Sequence, residues 1–95
     1  MHTVQLEGSH IKERQQLHDF LKKELQLPDT YGSNLDALWD CLTGWVRLPL
    51  TIRWIDPEAS RRHLGEYADQ LLDLLREAEQ EVDGFYLEVV ENSAP

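Results

Sequence analysis

Pro49-Leu50-Thr51-Ile52-Arg53-Trp54-Ile55-Asp56-Pro57-Glu58 is the stretch on which the fold turns. Proline suits the first position of a strand. Leu50, Ile52 and Trp54 then alternate with Thr51 and Arg53, which predicts a strand with one apolar face. Asp56-Pro57-Glu58 reads as an N-cap with proline at the first helical position, opening a short helix that stops near Gly65. A strand that runs straight into a helix cannot return as a hairpin, so its neighbours must come from farther along the chain.

Upstream, His2-Thr-Val-Gln-Leu-Glu7 alternates in the same way and ends at Gly8-Ser9. Leu17, Phe20, Leu21 and Leu25 form a helical stripe over about 12–25, closed by Pro28. Pro28-Asp-Thr-Tyr-Gly-Ser33 is a turn, and Ser33 or Asn34 caps the next helix, 34–43. There Leu35, Leu38, Trp39 and Leu42 recur at helical spacing, and Gly44 occupies the place of a C′ glycine. Downstream, Glu66–Glu81 is the longest helix, with Tyr67, Leu71, Leu74, Leu75 and Ala78 inward. Asp83-Gly84 ends it, and Phe85–Val90 is a third strand. The order is β-α-α-β-α-α-β. Long helical crossovers imply parallel strands, so the expectation is a small α/β fold, a three-stranded parallel sheet packed against helices. It forms a single domain over residues 1–92, with 93–95 as a frayed tail.

The chain has 95 residues, 18 acids and 9 bases, for a net charge of −9. That length suits one core. One cysteine, Cys41, excludes an internal disulfide framework and fits a reducing compartment. No apolar run is long enough for a membrane span and no leader opens the chain, which points to the cytoplasm. The acid excess opposes direct binding of nucleic acid. It is also concentrated. Residues 1–65 carry 9 acids and 8 bases, whereas 66–91 carry 9 acids and only Arg76. A second stretch, Lys23 to Arg47, encloses Glu24, Asp29, Asp36 and Asp40 without a base.

Three constellations stand out. Asp36, Asp40 and Thr43 share one face of the 34–43 helix, and Asp36 and Asp40 are a like-charge i,i+4 pair that weakens a helix. Asp69, Asp73, Glu77 and Glu81 form an i+4 ridge on the long helix. Either set can be a solvated face, but the ridge breaks the usual mixing of signs on a helix surface. Tyr31, Trp39, Trp45 and Trp54 are dense in aromatics. Trp54 belongs in the core, while Tyr31 in its turn and Trp45 past a helix end should be at least partly exposed. Exposed rings beside carboxylates resemble an interaction hot spot. Two functions fit these residues. A binding protein would steer a basic partner onto the acidic patch, a nucleic-acid-binding protein being the commonest basic partner. Alternatively, Asp36, Asp40 and Glu77 would hold a divalent metal or serve as acid and base. The latter needs a cleft that so short a chain hardly provides. His2, His10, His18 and His63 show no metal spacing with one another or with Cys41, and there is no phosphate loop or nucleophile elbow. No cofactor is expected.

The block Tyr31-Gly-Ser-Asn-Leu-Asp-Ala-Leu-Trp-Asp-Cys-Leu-Thr-Gly-Trp-Val46 strongly resembles the barstar family, intracellular inhibitors of the bacterial ribonuclease barnase. The similarity extends upstream through Leu17–Pro28, downstream through Pro49-Leu50, and resumes at Arg76-Glu77-Ala78. The resemblance implies a three-stranded parallel sheet packed against helices. It also implies a helix that enters a ribonuclease active site with two aspartates in place of RNA phosphates. Asp40 would be the main plug, and Asp36 would pair with nearby cations. Tyr31, Gly32, Asn34, Leu35, Trp39, Thr43, Gly44 and Trp45 match the surrounding contact surface, and Glu77 and Glu81 the acids of the long helix. The implied protein is no enzyme; its partner is a basic bacterial ribonuclease or ribonuclease toxin. The sequence departs from the family prototype at Thr30, where that protein has a second tyrosine, and at Arg47, where it has a glutamate.

Overall fold

The computed structural model describes residues 2–91. Strands β1 (His2–Glu7), β2 (Leu50–Ile55) and β3 (Phe85–Val90) form one parallel sheet in the order β1-β2-β3. Helices α1 (Arg14–Glu24) and α2 (Leu35–Gly44) connect the first two strands; α3 (Pro57–Leu64) and α4 (Glu66–Glu81) connect the second and third. The predicted order and the parallel sheet are therefore as expected. The domain end at 92 and the tail 93–95 lie outside the described residues.

Register explains which face is covered. Val4, Ile52 and Leu87 stand side by side, as do Leu6, Trp54 and Val89. Val4, Leu6, Leu50, Ile52, Trp54 and Phe85 are buried, whereas Thr3, Gln5, Tyr86 and Glu88 on the opposite face are exposed. Parallel sheets usually bury both faces and lose their alternation. Here the strands advance in one direction across the sheet, so two crossovers of the same hand lie on the same side. Leu17 and Leu21 of α1, Leu38 and Leu42 of α2, and Leu71, Leu75 and Ala78 of α4 complete the single core. On the open face Arg53 and Glu88, cross-strand neighbours, sit 3.5 Å apart. At the β3 edge, the Leu87 N–H donates to the Glu79 carboxylate at 2.7 Å, which masks one of the donors that an edge strand offers to other chains.

Helix ends show where local chemistry differs from expectation. Asn34, not Ser33, caps α2, its Oδ1 accepting from the Ala37 N–H at 2.8 Å. Asp56 caps α3 as predicted. Helix α1 stops at Glu24, four residues before Pro28. Gln26 adopts a left-handed φ of 54°, and the Leu27 N–H returns to the Lys22 carbonyl at 2.9 Å. This is a Schellman closure built without glycine, so the signal usually sought at C′ was missing. Gly44 corrects the expectation in the other direction. It is the last residue of α2 and not a left-handed C′ residue; the N–H groups of Trp45 and Val46 both fold back to the Cys41 carbonyl. Among the described residues no helix is long and apolar enough to cross a membrane.

Gly8 is fixed by close approach. A Cβ there would collide with the Asp56 carbonyl oxygen and stand 2.8 Å from that of Ile55, with Ser60 Oγ at 2.7 Å. Backbone cannot yield as a flexible side chain does. Gly8→Ala should therefore lower stability by about 1–3 kcal/mol, read as a shift in the urea midpoint with little change in slope. An unaltered midpoint would show that β1 is free to move away from the start of α3.

Candidate functional site

The site is built on α2. Leu38, Cys41 and Leu42 anchor one side of the helix in the core, which turns Asp36, Asp40 and Thr43 outward, all exposed. Asp36 lies in the first turn, where the helix dipole favours a carboxylate. Asp40, one turn later, is beyond that benefit. Among the described residues neither carboxylate has an ion-pair partner. Thr43 donates its hydroxyl to the Trp39 carbonyl at 2.9 Å, which ties it to its own helix.

On α4 the acidic ridge divides into separate roles. Asp69 accepts from Arg61 of α3 at 2.6 and 3.1 Å, and Glu58 lies 3.5 Å from the same guanidinium. Asp69 thus fastens α3 to α4. Glu79 is spent on the β3 edge. Arg76, the base expected to offset the ridge, lines a separate pocket of about 180 Å³ with Trp54, Leu72 and Val89. Asp73 and Glu77 remain. They join Asp36, Trp39, Gln70 and Leu74 around an open groove of about 350 Å³ between α2 and α4. The two acid-rich segments therefore meet, with three carboxylates over an apolar floor and no base in the lining. Asp40 and Glu81 are exposed but outside the groove.

The aromatic residues separate as well. Trp45 is 54% exposed, and its indole N–H donates to the Gln26 carbonyl at 3.1 Å, so the left-handed turn after α1 holds the ring in place. Trp39 is half-buried in the groove, and Trp54 is core as predicted. Tyr31 corrects the expectation of a partly exposed ring. It is 8% exposed and belongs to the core, its hydroxyl 2.6 Å from His18 Nδ1. The turn folds inward because that hydroxyl has a buried imidazole to meet. Gly32, Asn34 and Gly44 are exposed and Leu35 is half-buried around α2; Thr30 and Arg47 are exposed beside them.

Sequence reasoning considered His18 only as a metal ligand and missed its role. The available signal was its place between Leu17 and Leu21 on the buried stripe of α1. Its second nitrogen, Nε2, lies 2.6 Å from the Tyr67 hydroxyl of α4. Burial pushes the imidazole below its ordinary pKa, against a smaller upward pull from Asp19. Burial likewise raises the Tyr31 hydroxyl and the Cys41 thiol, so neither is a ready nucleophile at neutral pH. Among the described residues no three His, Cys, Asp or Glu side chains gather into a group that holds a metal, and Asp36, Asp40 and Glu77 do not form one.

A model of the barstar family, described as "Barstar (barnase inhibitor)", matches residues 1–90. The chain is 45% identical over 91 residues to the Bacillus subtilis (strain 168) protein named "Putative ribonuclease inhibitor YrdF", covering 96% of this chain and all of that one. This chain belongs to the barstar family.

The buried imidazole predicts how stability responds to acid. Above pH 6.5, the ordinary histidine value, His18 is neutral whether the chain is folded or unfolded. As pH falls below 6.5 the unfolded chain takes up the proton first, so folding loses stability until the lowered folded-state pKa is passed. His18→Gln should flatten this part of the stability profile, measured by urea unfolding at a series of pH values. Parallel profiles for the two proteins would refute the assignment.

Proposed function

We propose that this barstar-family member inhibits a barnase-class ribonuclease, or a related ribonuclease toxin, by seating α2 in its active site. The observation that carries the reading is the groove in which Asp36 meets Asp73 and Glu77 without a compensating base. A ribonuclease must present cations to the phosphates of its substrate. A rigid helix that offers carboxylates can occupy the same positions, and competition follows.

The roles divide by position. Asp40 is exposed and lacks an ion-pair partner, and it projects from α2 beyond the groove, which suits the phosphate-mimicking plug. Asp36, inside the groove, pairs with cations flanking the active site. Gly32, Asn34, Leu35, Trp39, Thr43, Gly44 and Trp45 make up the contact surface around them. Glu77 contacts from α4, and Glu81, farther along, adds to the field. Tyr31 supports this surface from beneath. The field of the clustered acids draws a basic enzyme in, and the barnase–barstar pair is itself the standard example of such steering. The protein catalyses nothing and acts in the bacterial cytoplasm. It does not bind RNA directly, since its surface repels phosphates. Thr30 and Arg47, at the rim, bear on the choice of ribonuclease.

An excess of this protein should stop RNA cleavage by a barnase-class enzyme. Asp40→Ala should cost about 2 kcal/mol of binding or more, in a range for which barnase–barstar is the reference case, whereas Glu91→Ala should cost little. Raised salt should slow association more than it speeds dissociation. Absence of inhibition across several such enzymes, or equal losses for the two variants, would overturn the reading.

A further inference from the structure

The geometry points to Tyr67 as a positioning residue for partner binding: through His18 it holds the carboxylates of α4 at a set distance from the binding face of α2. The inference rests on the inhibitor reading and adds to it a residue that lies outside the contact surface.

His18 is 1% exposed, so both ring nitrogens need partners within the protein. Each has one, and both are phenols. Nδ1 meets the Tyr31 hydroxyl and Nε2 the Tyr67 hydroxyl, each at 2.6 Å. A neutral imidazole has one N–H and one lone pair, so one tyrosine donates to it and the other accepts from it. The three groups thus form a single hydrogen-bonded chain, with a separate bond on each ring nitrogen. Its ends fall at consequential places. Tyr31 directly precedes Gly32 and the cap that starts α2. Tyr67 lies in the first turn of α4, the helix that presents Asp73 and Glu77 to the groove. One buried ring therefore ties α1 to the turn that leads into α2 and to the first turn of α4.

The Tyr67 ring is itself steadied. The Arg14 guanidinium lies 4.3 Å from its centroid, and the two side chains share a second cleft with Asn34 and Asp36 at the start of α2. A partner cation that bridges Asp36 and Glu77 needs their separation fixed in advance. Rigid spacing removes the cost of ordering the two helices on binding. Loss of the Tyr67 hydroxyl leaves α2 intact and lets α4 drift, so the contribution of Glu77 should suffer while that of Asp40 does not.

A double-mutant cycle against a barnase-class ribonuclease tests this. Tyr67→Phe, which removes one oxygen, should weaken binding about fivefold through faster dissociation. That loss should largely vanish in a Glu77→Gln background and persist in an Asp40→Ala background. A general loosening of the fold would act equally in both. Arg14→Lys, which keeps the charge and folds without touching the core, should show the same coupling to Glu77 at smaller size. Dissociation of Tyr67→Phe at the wild-type rate, or equal losses in the two backgrounds, overturns the inference while the inhibitor reading stands. If the wild-type protein itself does not bind, the inhibitor reading falls and the positioning role falls with it.

Discussion

The acidic face depends on a sheet that is covered on one side only. Three parallel strands in the order β1-β2-β3 require two crossovers, and both lie on the same face. The closing helix of the first crossover and that of the second become neighbours as a result. These are α2 and α4, the two most acidic helices of the chain. A sheet wound in both directions would have put them on opposite faces and separated their charge by the thickness of the core. The juxtaposition of Asp36 with Asp73 and Glu77 is therefore a consequence of topology before it is a property of any side chain.

Such crowding opposes folding, since like charges on adjacent helices repel and each i,i+4 pair costs a few tenths of a kcal/mol. The structure lessens the cost selectively. Asp69 is paired with Arg61, Glu79 accepts from a strand N–H, and Asp36 lies in the first turn of α2, where the helix dipole favours a carboxylate. Asp40, Asp73 and Glu77 receive no such relief among the described residues, and Arg76 lines a different pocket. Where a fold spares some acids and leaves others exposed to one another, the unspared ones are the better candidates for an external partner.

Most of this fold was legible because its strands kept one solvent face. Leu50, Ile52 and Trp54 alternate with polar residues only because the sheet is half open; a sheet buried on both sides would have read as a continuous apolar run. Asn34, Asp56 and Pro57 were equally readable, since a cap acts on residues two or three positions away. The failures are of another kind. Gln26 ends α1 without the glycine that marks such a turn. Gly44 looked like that glycine and is an ordinary helical residue. Tyr31 lies in a turn of polar residues, and nothing local shows that its hydroxyl reaches His18, thirteen positions earlier. The sorting of Asp69, Glu79 and Arg76 also depends on α3 and β3, which no periodicity along α4 encodes.

The same distinction applies to the site. Asp36, Asp40 and Thr43 share a face by helix geometry alone, so one turn of sequence suffices to group them. Their relation to Glu77, about forty residues away, exists only in the folded chain. Local pattern thus defines the carboxylates of α2, while long-range packing decides whether a second helix supports them. The His18 hydroxyl chain belongs to that second level. Its three members are separated by 13 and 49 positions, and no stripe, cap or motif joins them. The two hydroxyls arrive from the turn before α2 and from the first turn of α4, and the buried ring between them satisfies both nitrogens only when both are in place. The carboxylates of α2 are written in one helix, and the hydroxyl chain beneath them is distributed over two helices and a turn.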